Sequence, residues 1–115
     1  MLYLLLPYPP SVNSYWGFKG SMRFLTAKAK EFKKAVFVKF AEKKHKGFGT
    51  KRLQITIVLH PTDKRVRDID NSIKSLLDAL CQAGAFEDDS QVDKLIIERA
   101  DIVKGGLCHV FIDEK

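Results

Sequence analysis

The spacing of apolar residues changes period several times along the chain, and each change predicts an element. Leu2 to Leu6 form an unbroken apolar run closed by PYPPS, which predicts a short buried strand entering a proline-stiffened loop. From Thr26 to Gly47 the spacing widens. Ala29, Phe32, Val36 and Phe40 recur three or four residues apart, while Lys30, Lys33, Lys34 and Lys44 fall mostly elsewhere, so a helix capped by Thr26, ended by Gly47 and basic on its front is predicted. In LQITIVLHP the period drops to two, with Leu53, Ile55, Ile57 and Leu59 toward one face until Pro61 stops the strand. A second helix then carries Ile73, Leu76, Leu77 and Leu80 on its apolar stripe and stops near Gly84. The residues from Asp93 to Glu114 predict two strands joined around Lys104, Gly105 and Gly106 as a hairpin.

The order strand, loop, helix, strand, helix, strand, strand predicts a small α/β or α+β domain spanning residues 1–115, with a mixed sheet and two main helices packed on it. At 115 residues the chain holds one modest core and is too short for two. No repeat, low-complexity tract or linker interrupts it.

Composition narrows the class. Hydrophobic residues at 45% and charged residues at 30% are the balance of a soluble globular protein. No apolar run approaches the ~18 to 20 residues of a membrane helix, and MLYLLLP lacks the basic leader and cleavage site of a signal peptide, so the expected location is the cytosol and no membrane partner is expected. Cys81 and Cys108 lie far apart without CxxC spacing, which favours reduced packing thiols over a disulfide or a zinc site. His45, His60 and His109 are scattered and are expected to be structural or solvated.

The net charge of +6 conceals a division. Lys19 to Arg52 contain 12 Lys or Arg against 2 acids, a net of +10, whereas the rest of the chain holds 8 basic and 12 acidic residues, a net of −4. A basic half that attracts a polyanion toward carboxylates accounts for this, and so does a solvated basic helix. The segment VNSYWGFKGSMR interleaves Asn13, Tyr15, Trp16 and Phe18 with Lys19 and Arg23 on what is expected to be a loop. Such a loop can stack on exposed bases and hold phosphates, or its aromatics can simply close one end of the core.

Candidate chemistry centres on RVRDIDNSIKSLLDAL, Arg65 to Leu80. If Asp68 to Asp70 runs extended into the helix, both carboxylates point the same way. At about 7 Å they repel by about 0.6 kcal/mol in water and about 2 to 3 kcal/mol in a partly dry site, so a positive charge is expected between them. Arg65, Arg67 or Lys74 can supply it, as can a divalent ion; all-oxygen ligands suit magnesium or manganese. A helix N-cap at Asp70 with Asp68 in a turn is the plainer alternative. A calcium loop fails, because Ile73 stands where it needs glycine and Ala79 where it needs glutamate. Lys74, four residues after Asp70 and four before Asp78, suits either an ordinary helix ion pair or a phosphate contact. Glu87, Asp88 and Asp89 lie beyond a helix of about 20 Å and meet the first pair only if the chain returns directly.

Taken together, LPYPPSVNSYW, the D-x-D-N-x-x-K-x-x-x-D-A-L block, the following A-G-x-x-x-D-D-x-Q-V and the late KGG resemble the RusA family of Holliday junction resolvases over nearly the whole chain. The resemblance implies a homodimeric, magnesium-dependent endodeoxyribonuclease, with manganese able to substitute, that cuts four-way DNA junctions in recombination and repair. It implies a metal-binding acid cluster of Asp68, Asp70 and Asp89, with Lys74 assisting catalysis near the phosphate. Lys28, Lys30, Lys33, Lys34, Arg65, Arg67 and Asn13 are the expected DNA contacts, and a bacterial, phage or prophage origin is suggested. A less selective flap or fork nuclease, and a non-catalytic DNA-binding protein whose acids are caps and surface charges, are the competing readings.

Overall fold

The computed structural model describes residues 1–115. Ten elements follow in order: strand β1 (Leu2–Leu6), the one-turn helix α1 (Val12–Tyr15), strands β2 (Trp16–Lys19) and β3 (Met22–Leu25), helix α2 (Ala27–Glu42), strand β4 (Leu53–His60), helix α3 (Ile73–Ala83), a 3-10 turn (Asp89–Gln91), and strands β5 (Val92–Arg99) and β6 (Leu107–Glu114). The fold is α+β, as the element order predicts.

The main sheet has the order β1-β6-β4-β5. β4 pairs parallel with β5 and antiparallel with β6, and β6 pairs antiparallel with β1. One face is dry. Leu4, Ile55, Ile57, Val110 and Ile112 on this face are wholly buried, and they pack with Phe32, Val36 and Phe40 of α2 and Ile73, Leu76, Leu77 and Leu80 of α3 in one cluster of 20 residues. The alternation of β4 and the stripes of both helices therefore sit where the periods place them, since only these faces exclude water.

Several local expectations are corrected. β5 and β6 do not form a hairpin: they lie on opposite sides of β4. Their connection is held across the end of β4 by Ala100 N–H to Leu59 O at 2.8 Å and Val103 N–H to Pro61 O at 2.9 Å, so it bridges over a strand instead of turning back beside one. The basic helix ends at Glu42, five residues before Gly47, because Lys44 enters the left-handed region at φ 54° and breaks the ladder. Thr26 does cap it, accepting from Ala29 N–H.

The segment expected as a loop holds α1 and a two-stranded hairpin, β2 against β3, separate from the main sheet. Phe24 lies across Gly17, where an added Cβ would approach the ring to 2.5 Å, so a side chain there would have to displace the ring. The arm is fixed at its base, where the Thr26 hydroxyl donates to Ser14 O at 2.5 Å and the Tyr15 side chain is buried. Asp68 to Asp70 is a turn, not an extended run: Asn71 N–H reaches Asp68 O and Ile73 N–H reaches Asp70 O. Ser72, not Asp70, is the N-cap of α3, and at the other end Gly84 adopts φ 94°.

Candidate active site and nucleic-acid interface

Two anchors bring the proline-rich loop and α3 together. Ser75, buried on α3, donates its hydroxyl to Pro10 O at 2.6 Å, and Val12 N–H donates to Asn71 O at 2.9 Å. They seat α1, and with it the β2–β3 arm, beside the start of α3.

The acidic turn after α3 is held by one buried amide. Gln91 Oε1 accepts from the N–H groups of Glu87 and Asp88 at 3.0 and 2.9 Å, while its Nε2 donates to Gly49 O and Lys51 O at 2.9 and 2.6 Å. All the polar capacity of this side chain is used to fix a loop that carries three acids. Ser90, through its hydroxyl and its N–H, holds the Asp88 carboxyl below the usual carboxylate range.

This scaffold delivers Asp89 to Lys74. The ammonium lies 2.5 Å from Asp89 Oδ2 and 3.1 Å from Asp78 Oδ1. Hydrogen bonds donated to Asp89 first, and then to Asp78, push the pKa of the ammonium well above the ordinary lysine range, so it stays charged at any working pH. The three groups line a groove of about 310 Å³ with Lys33, Trp16 and Leu25. Cys81 lines it too; burial first, and then the charges of Asp89, Asp78 and Asp88, push its thiol up to about 11.

The remaining site candidates stand apart from this groove. Asp68, exposed, lines a smaller cleft with Arg67 and Asn71, and Asp70 projects into solvent without a hydrogen-bond or ion-pair partner. Arg67 and Arg65 bracket Asp63, at 2.9 and 3.7 Å. Lys28 lines a groove with Tyr8 and the prolines, Lys30 and Lys34 are exposed on α2, and Asn13 is exposed on α1. Asp78 and Leu25 were not singled out as site residues by spacing, and Trp16 only as one aromatic of a basic segment that could equally close the core. The signal for Asp78 was its position four residues after Lys74, which an ordinary surface ion pair explains equally well.

The carboxylates are hard oxygen donors of the kind magnesium and manganese prefer. Yet no three His, Cys, Asp or Glu side chains converge to hold a metal in this arrangement, and the cation between Asp78 and Asp89 is Lys74 itself. The chain as folded here does not present a formed metal site.

On the outer end of the arm Phe18 is 69% exposed, Met22 66% and Phe24 43%. Phe18 faces Arg23 in register, and the Arg23 guanidinium lies 3.9 Å from the Trp16 ring centroid. Cation and aromatic thus share the face that leads down to the groove.

A charged ammonium between carboxylates, with Lys33 and an aromatic arm beside it on a small α+β fold, is a side-chain set that a nuclease could use on a phosphodiester. The comparisons agree with that class. Residues 7–112 match the family model described as Endodeoxyribonuclease RusA, and the chain belongs to that family. It is 39% identical over 110 residues to the crossover junction endodeoxyribonuclease of Enterobacteria phage HK97, covering 96% of this chain and 92% of the relative. It is 30% identical over 112 residues to those of Shigella sonnei and Escherichia coli K12, again covering 96% and 92%. No helix is long and apolar enough to cross a membrane.

Proposed function

We propose that this protein is a structure-specific endodeoxyribonuclease that resolves four-way DNA junctions by paired phosphodiester hydrolysis, acting as a homodimer in the cytoplasm during recombination and repair. The observation that carries the reading is the Lys74 ammonium held between Asp78 and Asp89 in a groove beside a basic, aromatic arm. Support comes also from the relatives, which are named crossover junction endodeoxyribonucleases.

In this reading Lys74 offsets charge that builds on the phosphate under attack, and the two carboxylates aim it. Lys28, Lys30, Lys33, Lys34, Arg65 and Arg67 hold the arms through phosphate contacts that carry no sequence information. Asn13 stands with them on α1, and Phe18 on the arm stacks on a base exposed at the branch. Asp68, Asp70 and Asp89 are proposed as the residues that would hold magnesium, or manganese in its place; this requires Asp68 and Asp70 to reach Asp89, from which they stand apart in this chain, and the ion would then supply Lewis-acid polarisation of the phosphate.

The test is cleavage of a synthetic four-way junction and of linear duplex, in magnesium or EDTA, by wild type and Asp70→Asn. Paired cuts confined to the junction, present with magnesium and lost in the variant, are expected. Cuts at flaps and forks with equal efficiency would replace the substrate assignment. Tight binding with no cut in magnesium or manganese would reduce the protein to a DNA-binding module.

A further inference from the structure

β5 ends the sheet with an open edge eight residues long, and neither of its faces is covered as those of the other strands are. Leu95 and Ile97 continue the dry face, opposite Ile55 and Ile57, but Leu95 is 40% exposed; on the other face Ile96, opposite Thr56, is 45% exposed. The strand at the other edge, β1, is five residues long and stopped by Pro7, the usual protection of an edge. β5 has no such protection.

Its side chains also complement themselves. When two copies of β5 run antiparallel about a two-fold axis through Ile96, Ile96 meets Ile96, Leu95 meets Ile97, and Lys94 meets Glu98. Lys94 and Glu98 are exposed and form no ion pair within the chain, so both are free to pair across the axis. Shifting the axis by half a residue, to between Leu95 and Ile96, sets Asp93 against Glu98 and Lys94 against Ile97. Moving it to Leu95 or to Ile97 sets Lys94 or Glu98 against isoleucine. One register alone matches charge with charge and apolar with apolar. The irregularity in the β4 pairing falls at Asp93, which has no partner on β4, and leaves Lys94 to Arg99 in continuous register.

We propose that β5 is the subunit interface: two copies pair edge to edge in the Ile96-centred register and extend the sheet to eight strands. This rests on the homodimer reading above and specifies its surface. The isologous contact uses up both open edges, so assembly closes at two.

Sedimentation equilibrium without DNA, on wild type, Lys94→Glu, Glu98→Lys and the double variant, tests it. Each single variant places like charges opposite each other twice per dimer and is expected to weaken association about tenfold; the double variant restores it. Ile96→Cys, with wild type as the control for Cys81, is expected to form a disulfide-linked dimer under mild oxidation. A wild-type dimer unmoved by either charge reversal, and not cross-linked through position 96, would overturn the β5 interface and leave the homodimer reading standing. A wild-type monomer at every concentration would overturn both.

Discussion

Lys74 and Asp89 are 15 positions apart in the sequence, yet the ammonium and the carboxylate are 2.5 Å apart, joining the first turn of α3 to the loop beyond its far end. Removing the cation leaves Asp78 and Asp89 facing each other unscreened. Lys74→Met is expected to lower single-turnover junction cleavage by at least 100-fold, the usual effect of deleting one group that stabilises a charged transition state. Junction affinity, measured by gel shift, should change far less. Because its neighbours raise the Lys74 pKa, any loss of activity on the alkaline side up to pH 10 should come from another group. Equal cleavage by wild type and variant would remove Lys74 from the chemistry.

Phe18 contributes nothing to the core, being mostly exposed on the arm. Phe18→Ala should therefore leave the unfolding free energy within about 0.5 kcal/mol of wild type. Loss of one base stack, at about 1 to 3 kcal/mol, is expected to weaken junction binding roughly tenfold, while affinity for linear duplex stays the same. A parallel loss on both substrates would make the arm a general DNA contact.

Gln91 is a positioning residue whose removal exposes several partners at once. Gln91→Ala leaves the Glu87 and Asp88 N–H groups and the Gly49 and Lys51 carbonyls without their present partner. A cost of about 2 to 4 kcal/mol is expected in urea denaturation. Cleavage under conditions where the variant is fully folded should still fall, because Asp89 loses its support; unchanged kcat there would limit Gln91 to stability.

Burial pushes the Cys108 thiol from its ordinary value near 9 up to about 12. Above pH 9 the unfolded chain loses this proton while the folded chain keeps it, so the thiol's contribution, fully present below pH 9, is lost as pH rises toward 12. Stability is expected to fall over that window, and Cys108→Val should flatten the fall. The same shift makes native Cys108 almost inert to iodoacetamide at pH 8, with normal reactivity restored in urea.

The elements whose water-excluding faces set a period were legible in the sequence. β4, α2 and α3 each bury one side, and Leu53 to Leu59, Phe32 to Phe40 and Ile73 to Leu80 record it. The β2–β3 arm was not, because both of its faces meet solvent and Trp16 to Leu25 therefore carry no alternation. The false hairpin at β5 and β6 came from a strong local turn signal at Gly105 and Gly106, whereas pairing was decided by β4, which offers an edge on each side. At the site, the Lys74 and Asp78 spacing was visible on paper. The arrival of Asp89 depends on the loop that Gln91 holds from a distance, and no local pattern encodes it.

The place of β6 has a consequence for synthesis. Leu107–Glu114 emerges last among the ten elements but lies between β1 and β4. Until those eight residues leave the ribosome, the first strand has no neighbour in the sheet and the apolar face of β4 is incomplete. The nascent protein thus carries its basic helix and acidic loop as a nucleic-acid-attracting but unfinished chain, and the emergence of β6 decides when this sheet can close.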